Sequence, residues 1–428
     1  MASDLAPERW TPRAFYTIVV LGLCAGTQMS DQGIQSLSLS SIQSSFGVSD
    51  AALGAVQGIA GFLVGSLLAI PLARLVDRFS RKRILLCLIV TAASMMVVSA
   101  LAPSFALFFL GRSSSGILEF AMIPLVYSMI PDLAPERDRV LANLGFAAIM
   151  AAGASGGVYF GGDILRAAEQ WIPLPLEPWR KGFLLLSASG LPLLLLGLAT
   201  LDPPRYLGMH DRWSSASLGA FVRRRWKLLA LFMGVAGSML IAVQALSQLI
   251  ALAMERRFDA ELTVIGRALG VILLVVSAGS IPMAGVLDRL LGRSLGYASR
   301  PAVMALGALT ALPASVLLVS TSDLDQAFTA VGAFLLVTAT ANSLVPTMLQ
   351  DVIPAPLRAR GFAVWSFLVS VFSALGPLIA GVLSESVFNR NLLQAITYTV
   401  IPALVLSAGL AVTLVLMTLR ERRVEVGV

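Results

Sequence analysis

Long apolar runs separated by short polar gaps set the pattern of this chain. A membrane-spanning helix needs roughly 20 mostly apolar residues. Twelve runs reach that scale, at about 14–36, 51–73, 84–102, 105–131, 140–162, 183–201, 228–254, 264–287, 301–322, 326–350, 361–385 and 393–419. Most contain no charge. Only helices and closed barrels satisfy every backbone group in lipid, and these runs are too long and continuous for barrel strands. The pattern therefore predicts an all-α membrane protein with twelve transmembrane helices. The longest polar gap falls at 202–227, so the expected organisation is a six-helix bundle over 1–201, a central loop, and a second bundle over 228–428.

Composition supports this reading. Of the 428 residues, 57% are hydrophobic and only 13% are charged, whereas a soluble domain carries about 25% charged residues. Such a chain cannot coat a water-facing globule, and its profile excludes disordered, collagen-like and disulfide-framework classes. The net charge of +7 does not indicate a nucleic-acid partner, because the basic residues sit in the gaps between apolar runs. With the N-terminus inside, 23 Lys and Arg fall on the inner side and seven on the outer, and Arg112 lies within the fourth run. This excess marks the cytoplasmic face. The expectation is a multi-pass protein of a bacterial-type cytoplasmic membrane with both termini in the cytoplasm. Met1–Arg13 is polar and offers no small-residue cleavage site, so no signal peptide is expected. Cys24 and Cys87 lie inside apolar runs in no metal or disulfide pattern, and no cofactor is expected.

The two halves also repeat. Pro71, Ala73, Asp77 and Arg78 recur as Pro282, Ala284, Asp288 and Arg289, an offset of 211 residues. Asp132, Pro135 and Arg139 recur as Asp351, Pro354 and Arg358 at an offset of 219, which also carries Gly157 to Gly376 and Gly162 to Gly381. The first and seventh runs share a Gln pair four apart, Gln28/Gln32 and Gln244/Gln248. Two parallel six-helix repeats describe a secondary transporter.

The gap after the second run reads Asp77-Arg78-Phe79-Ser80-Arg81-Lys82-Arg83. It resembles the signature loop of the major facilitator superfamily, an Asp-Arg pair followed by a basic cluster, with Ala73 and Ser80 in place of that family's usual glycines. Other stretches look like the spinster-type branch and its bacterial relatives. These are Gly111-Arg112 with Gly116 and Glu119, the glycines from Gly153 to Gly162, Trp179-Arg180, and Gly376-Pro377 with Gly381. Where that branch has Asp-Arg in its first helix, this chain has Asp31-Gln32. The resemblance implies two pseudo-symmetric bundles rocking around a central cavity, and lysolipid-like substrates. It also implies a cytoplasmic gate formed by Asp77, Arg78, Arg81, Asp132, Asp288 and Arg289. A carboxylate at a helix end can pair with a neighbouring Arg in one gate state only.

Ionisable groups inside spans are expensive and face a cavity or a partner. Asp31 stands in the first run, and Arg112 and Glu119 stand in the fourth. A spacing of seven returns Glu119 to the face of Arg112. Thr27, Gln28, Asp31 and Gln35 form a polar stripe at helical spacing. The reading assigns Glu119 and Asp31 to proton coupling. It assigns Arg112, Gln28, Gln32 and Gln35 to substrate, with Gln244, Ser247 and Gln248 of the seventh run and Asn342 of the tenth as lesser candidates. A purely structural Asp31–Arg112 pair, or a Glu119 that stays protonated, would explain the same residues without coupling.

Gly153-Ala-Ser155-Gly-Gly157 matches a nucleophile elbow, but the only histidine, His210, lies in the central loop. Helix packing explains these small residues better. No nucleotide-binding, metal or catalytic pattern occurs, so the chain is not read as an enzyme. The expected function is proton-coupled, alternating-access transport of a small amphipathic, anionic or zwitterionic solute by a monomer in the lipid bilayer. A multidrug antiporter or an organic-anion/proton symporter stays open within this class, and a non-transporting receptor in another.

Overall fold

The computed structural model describes residues 9–67, 79–203, 215–353 and 358–426. Each of the twelve apolar runs is helical within these limits. Helices α1 (Pro12–Leu37), α3 (Arg81–Ala100), α4 (Phe105–Leu133) and α5 (Arg139–Tyr159) belong to the first repeat. So do α2, which runs from Asp50–Ala55 into a π-helical stretch Val56–Val64, and α6, made of Pro178–Ala188 and Gly190–Leu198. The second repeat holds α7 (Ser215–Phe258), α8 (Leu262–Leu295), α9 (Ser299–Ser320), α10 (Leu324–Asn342), α11 (Arg358–Ser386) and α12 (Leu392–Val426).

The helix ends follow local chemistry. Thr11 Oγ1 accepts from Ala14 N at 3.1 Å, ahead of Pro12 in the first turn of α1. Ser80 and Ser104 cap α3 and α4 in the same way, and Asp323 caps α10. Each cap satisfies an amide that the helix itself leaves orphaned. Helix α6 breaks at Ser189, because Pro192 has no N–H to return to the preceding turn.

The described residues pack as two compact units. One draws on Met1–Ser49, Ile59–His210 and Glu261–Val271, the other on Asp50–Gly58, Asp211–Ala260 and Ile272–Val428. In the first unit α1 lies along α5, and α3 lies against α4 and both pieces of α6. Leu21, Leu85, Leu125, Met129 and Phe146 form its apolar core. In the second unit α7 packs on α11 and α12, α9 on α10 and α12, and α11 on the first turns of α2. Both units turn large apolar side chains outward, among them Leu191, Leu195, Val275, Ile281, Leu309 and Leu406. Such a surface is soluble in hydrocarbon and not in water. Among the described residues nine stretches are long and apolar enough to cross a membrane, and one of them, Leu262–Ser320, contains both α8 and α9.

The Gly153–Gly157 stretch is a packing surface. A Cβ on Gly153 would fall 2.4 Å from Gly26 Cα, and one on Gly157 would fall 2.3 Å from Ser30 Cα. Ser30 Oγ, on α1, donates across this contact to the Gly153 carbonyl at 2.7 Å. Close approach of two helices is what small residues permit in lipid. Ser155 Oγ is buried with no hydrogen-bond partner, which is not the setting of an activated nucleophile. Gly153→Leu should therefore destabilise the protein by about 1–3 kcal/mol through overpacking, whereas Ser155→Ala should be close to neutral. Thermal unfolding of the two purified variants, followed by intrinsic fluorescence, checks this contrast.

Candidate functional site

The first unit holds an ion pair in its interior. Asp31 projects from the second half of α1, and Arg112 from α4 two turns after that helix begins. Arg112 Nη1 donates to Asp31 Oδ1 at 2.8 Å and lies 2.8 Å from Oδ2. The side chains are 4% and 3% exposed. Phe183 of α6 covers the guanidinium, with its ring centre 5.3 Å from Cζ, a favourable cation–π placement. Taking both charges out of water costs several kcal/mol per ion, and mutual attraction repays this only when the remaining donors are also satisfied. Among the described residues they are not: Arg112 Nε is buried with no partner, as are the hydroxyls of Ser113 and Ser115 beside it.

The other candidates fall in three places. Gln28 lines a cleft between α1, α3, α4 and α6 in the first unit. Gln32 is half-buried and Gln35 buried, further along the same helix. In the second unit Gln244, Ser247 and Gln248 form one cluster on α7, with Ser247 Oγ and Gln248 Nε2 at 3.2 and 3.3 Å from Gln244 Oε1. Gln57 Nε2 donates to the Gln248 carbonyl at 3.0 Å. Asn342 is half-buried at the last position of α10. The Glu119 side chain lies outside the described residues, as do Asp77 and Arg78.

Of the remaining gate candidates, Arg81, Asp132 and Asp288 sit in two matching ion-pair networks, one in each unit. Arg81, at the start of α3, reaches Asp132 near the end of α4 with Nη2 at 2.7 Å from Oδ2. It also donates to the carbonyls of Ser128 and Pro203. In the second unit Arg300, at the start of α9, pairs with Asp351 and lies 3.5 Å from Asp288. Asp288 also accepts from Ser299 Oγ at 2.5 Å. Arg289 is exposed and makes no ion pair among the described residues. Arg300 follows Arg81 at an offset of 219 residues, the same offset that relates Asp351 to Asp132. Sequence reasoning missed Arg300, although extending that offset back to Arg81 would have found it.

A second omission is Asp50, the first residue of α2. Its buried carboxylate takes both Nη atoms of Arg256, at 2.9 and 2.7 Å, and the hydroxyl of Ser384 at 2.6 Å. In the sequence Asp50 reads as an ordinary helix-start acid; its partners stand 206 and 334 residues away.

The buried Asp31–Arg112 pair has no such counterpart. The residue 219 positions on from Arg112 is Val331, and Ser247 occupies the place of Asp31 when Gln28 is aligned with Gln244. Paired charges repeated in both units describe scaffold or gate. An unrepeated pair in an apolar interior, with unsatisfied donors among the described residues, is a candidate for a site.

Two six-helix repeats with an apolar outer surface and ionisable side chains buried inside are the build of a secondary transporter. A family model described as Major Facilitator Superfamily matches residues 21–339. The chain belongs to the Major Facilitator Superfamily, and is a transporter rather than an enzyme. No curated protein matches its sequence at a significant level. Among solved structures, a bacterial homologue of the human lysosomal transporter Spinster superposes with a TM-score of 0.77 at 20% identity, covering 97% of this chain and 98% of that one. The nucleoside transporter NupG aligns at TM-score 0.69 and 14% identity over 95% and 98% of the two chains. A D-xylose–proton symporter aligns at 0.66 and 14% over 92% and 96%. At these identities the likeness is one of fold.

Removing one charge of the buried pair strands the other. Asp31→Asn should cost about 3–5 kcal/mol of stability, and the charge-free double variant Asp31→Asn/Arg112→Gln should recover most of it. The melting temperatures of the three proteins in one detergent provide the comparison, and a double variant no more stable than the single one would contradict it.

Proposed function

We propose that the protein is a proton-coupled, alternating-access transporter of a small amphipathic solute bearing an anionic or zwitterionic group. The half-satisfied guanidinium of Arg112 carries this reading. Its planar fork suits bidentate recognition of a carboxylate or phosphate, yet Asp31 takes only Nη1, and Nε is buried without an acceptor among the described residues. An incoming anion competes with Asp31 for the guanidinium, and the carboxylate it releases has reason to take up a proton in an apolar interior. Glu119, two turns further along α4, gives the proton a second station. The solute is lysolipid-like, as the resemblance of the chain's motifs to the spinster-type branch implies. The D-xylose–proton symporter is precedent for proton coupling on this fold. The Lys and Arg distribution places the chain in a bacterial-type cytoplasmic membrane with both termini inside, and one chain suffices for function.

Reconstitution into liposomes tests the coupling. Uptake of a radiolabelled lysophospholipid is measured with and without an imposed pH gradient, beside exchange at equal pH. Glu119→Gln mimics the neutral acid, so exchange should survive and gradient-driven accumulation should be lost. Retained accumulation would move coupling away from Glu119. Arg112→Ala should abolish both activities, and an Arg112→Ala variant that exports permanently cationic dyes as well as wild type would favour a drug antiporter.

The Arg81–Asp132 and Arg300–Asp351 networks, together with Asp77, act in this scheme as the cytoplasmic gate. Asp77→Asn should leave membrane insertion intact, because topology depends on Lys and Arg. It should lower the turnover rate by biasing the equilibrium between the two access states. Initial uptake rates at matched protein content decide whether Asp77 is a gate residue.

A further inference from the structure

The first unit contains a narrow cleft that the transport reading leaves without a role. It runs between α1, α3, α4 and α6, and its empty space, open mouth included, comes to about 360 Å³. On α3 it extends from Leu88 to Met96, a helical distance of roughly 12 Å. On α6 it spans the break at Ser189 and Gly190. Among the described residues its walls are aliphatic and thioether side chains, including Met96 and Met122, with no charged residue and no aromatic ring. That lining gives nothing to an ion and no stacking face to a planar heterocycle. A flexible alkyl chain fits it, and Met adapts to such a chain.

The polar groups lie at one end. The hydroxyls of Thr27, Ser187 and Ser189 donate back to their own helices. The Gln28 amide makes no hydrogen bond among the described residues, and it faces the cleft. One turn further along α1, about 5 Å away, stands Asp31 with Arg112. One turn back along α6 from Leu186 and Ser187 stands Phe183, which covers the same guanidinium. Two helices thus arrange the same sequence of environments: charged, neutral polar, then apolar.

We infer that this cleft binds the alkyl chain of a single-chain amphiphile whose charged head lies at Arg112, with the Gln28 amide on the linking ester, amide or hydroxyl. This rests on the substrate reading above for the head group, and on the cleft alone for the chain.

The protein supplies its own reporter. Cys24 is a buried free thiol that lines the cleft, and Cys87 is exposed on α3. In lipid nanodiscs, and in a Cys87→Ser background, decylphosphocholine should slow alkylation of Cys24 by N-ethylmaleimide about tenfold, the protection expected of a well-occupied site. Butylphosphocholine should not slow it. A second measurement maps, by mass spectrometry, the crosslinks of a single-chain phosphocholine with a diazirine at its chain end. Crosslinks should fall on 24–28 and 88–96 and drop about tenfold in Ala92→Phe, which fills the cleft with the bulk of several methylenes. Chain-length-independent alkylation, crosslinks elsewhere, or equal labelling by a diacyl phospholipid probe each overturns the proposal. Cys24 protection that persists in Arg112→Gln, and that an uncharged decyl alcohol reproduces, upholds the cleft while sinking the head-group reading.

Discussion

The constraint that organises the first unit is the burial of Asp31 and Arg112 in an interior that cannot solvate either charge. At an exposure of 3–4% the pair persists only if α1 and α4 are held at a fixed spacing, since losing the contact leaves two bare ions in an apolar medium. The neighbouring structure supplies that spacing. Gly26 and Ser30 seat α1 against Gly153 and Gly157 of α5. Phe183 closes over the guanidinium from α6, backed by the aromatic cluster of Phe46, Phe108 and Trp179. Trp179 is itself tied by its indole N–H to Ser45 Oγ at 2.8 Å. The glycine-rich stretch of α5 and the aromatic end of the unit both serve to position one ion pair.

Comparing the two repeats separates architecture from chemistry. Arg81–Asp132 and Arg300–Asp351 are related by the repeat: the first joins the start of α3 to the end of α4, and the second joins the start of α9 to the short helix Val345–Val352 that follows α10. A duplicated fold keeps such pairs where both copies have the same mechanical problem, closing a helix end against its neighbour. The interior pair departs from the repeat: its counterparts are the apolar Val331 and the small Ser247. The second unit instead offers the neutral amides Gln244 and Gln248, knitted together and to Gln57. Matched positions thus carry a charged pair in the first repeat and neutral or apolar side chains in the second.

Much of this was legible in the sequence, for identifiable reasons. The cost of exposed backbone in lipid forces long continuous apolar runs, so all twelve helices could be read directly. The rarity of ionisable groups in spans isolated Asp31 and Arg112, and a structural pair between them was one of the alternatives their positions allowed. Asp50 could not be found, because a carboxylate at a helix start is ordinary and nothing local shows that Arg256 and Ser384 enclose it. Phe183 was hidden for the converse reason, since an aromatic in an apolar run looks like core. Arg300 was hidden by spacing: it stands twelve residues after Asp288, whereas Arg81 stands four after Asp77, which shifts the repeat from 211 to 219 residues and breaks the register by eye. The break in α6 could be read from Ser189-Gly190-Leu191-Pro192, but only the packing shows that it opens beside Gln28.

The break in α6 completes the logic of the site. A continuous helix there would place a full row of side chains against α3, where Gly190 already approaches Ala93 closely enough that an added Cβ would lie 2.6 Å from its methyl. Helix α6 approaches α3 closely at Gly190 and again at Gly197, and its break borders the narrow, largely aliphatic space between α1, α3, α4 and α6. The serines around the break turn their hydroxyls back onto the Leu184 and Leu186 carbonyls, so the irregular backbone does not make the space polar. Irregular backbone at membrane depth is tolerated where it borders a cavity. Here it borders one that runs, within two helical turns of α1, from an apolar wall to a guanidinium with an unsatisfied donor. A site graded in this way discriminates by the order of a ligand's parts as well as by their presence. An anion without a chain leaves the cleft empty, and a chain without an anion leaves Arg112 paired only to Asp31.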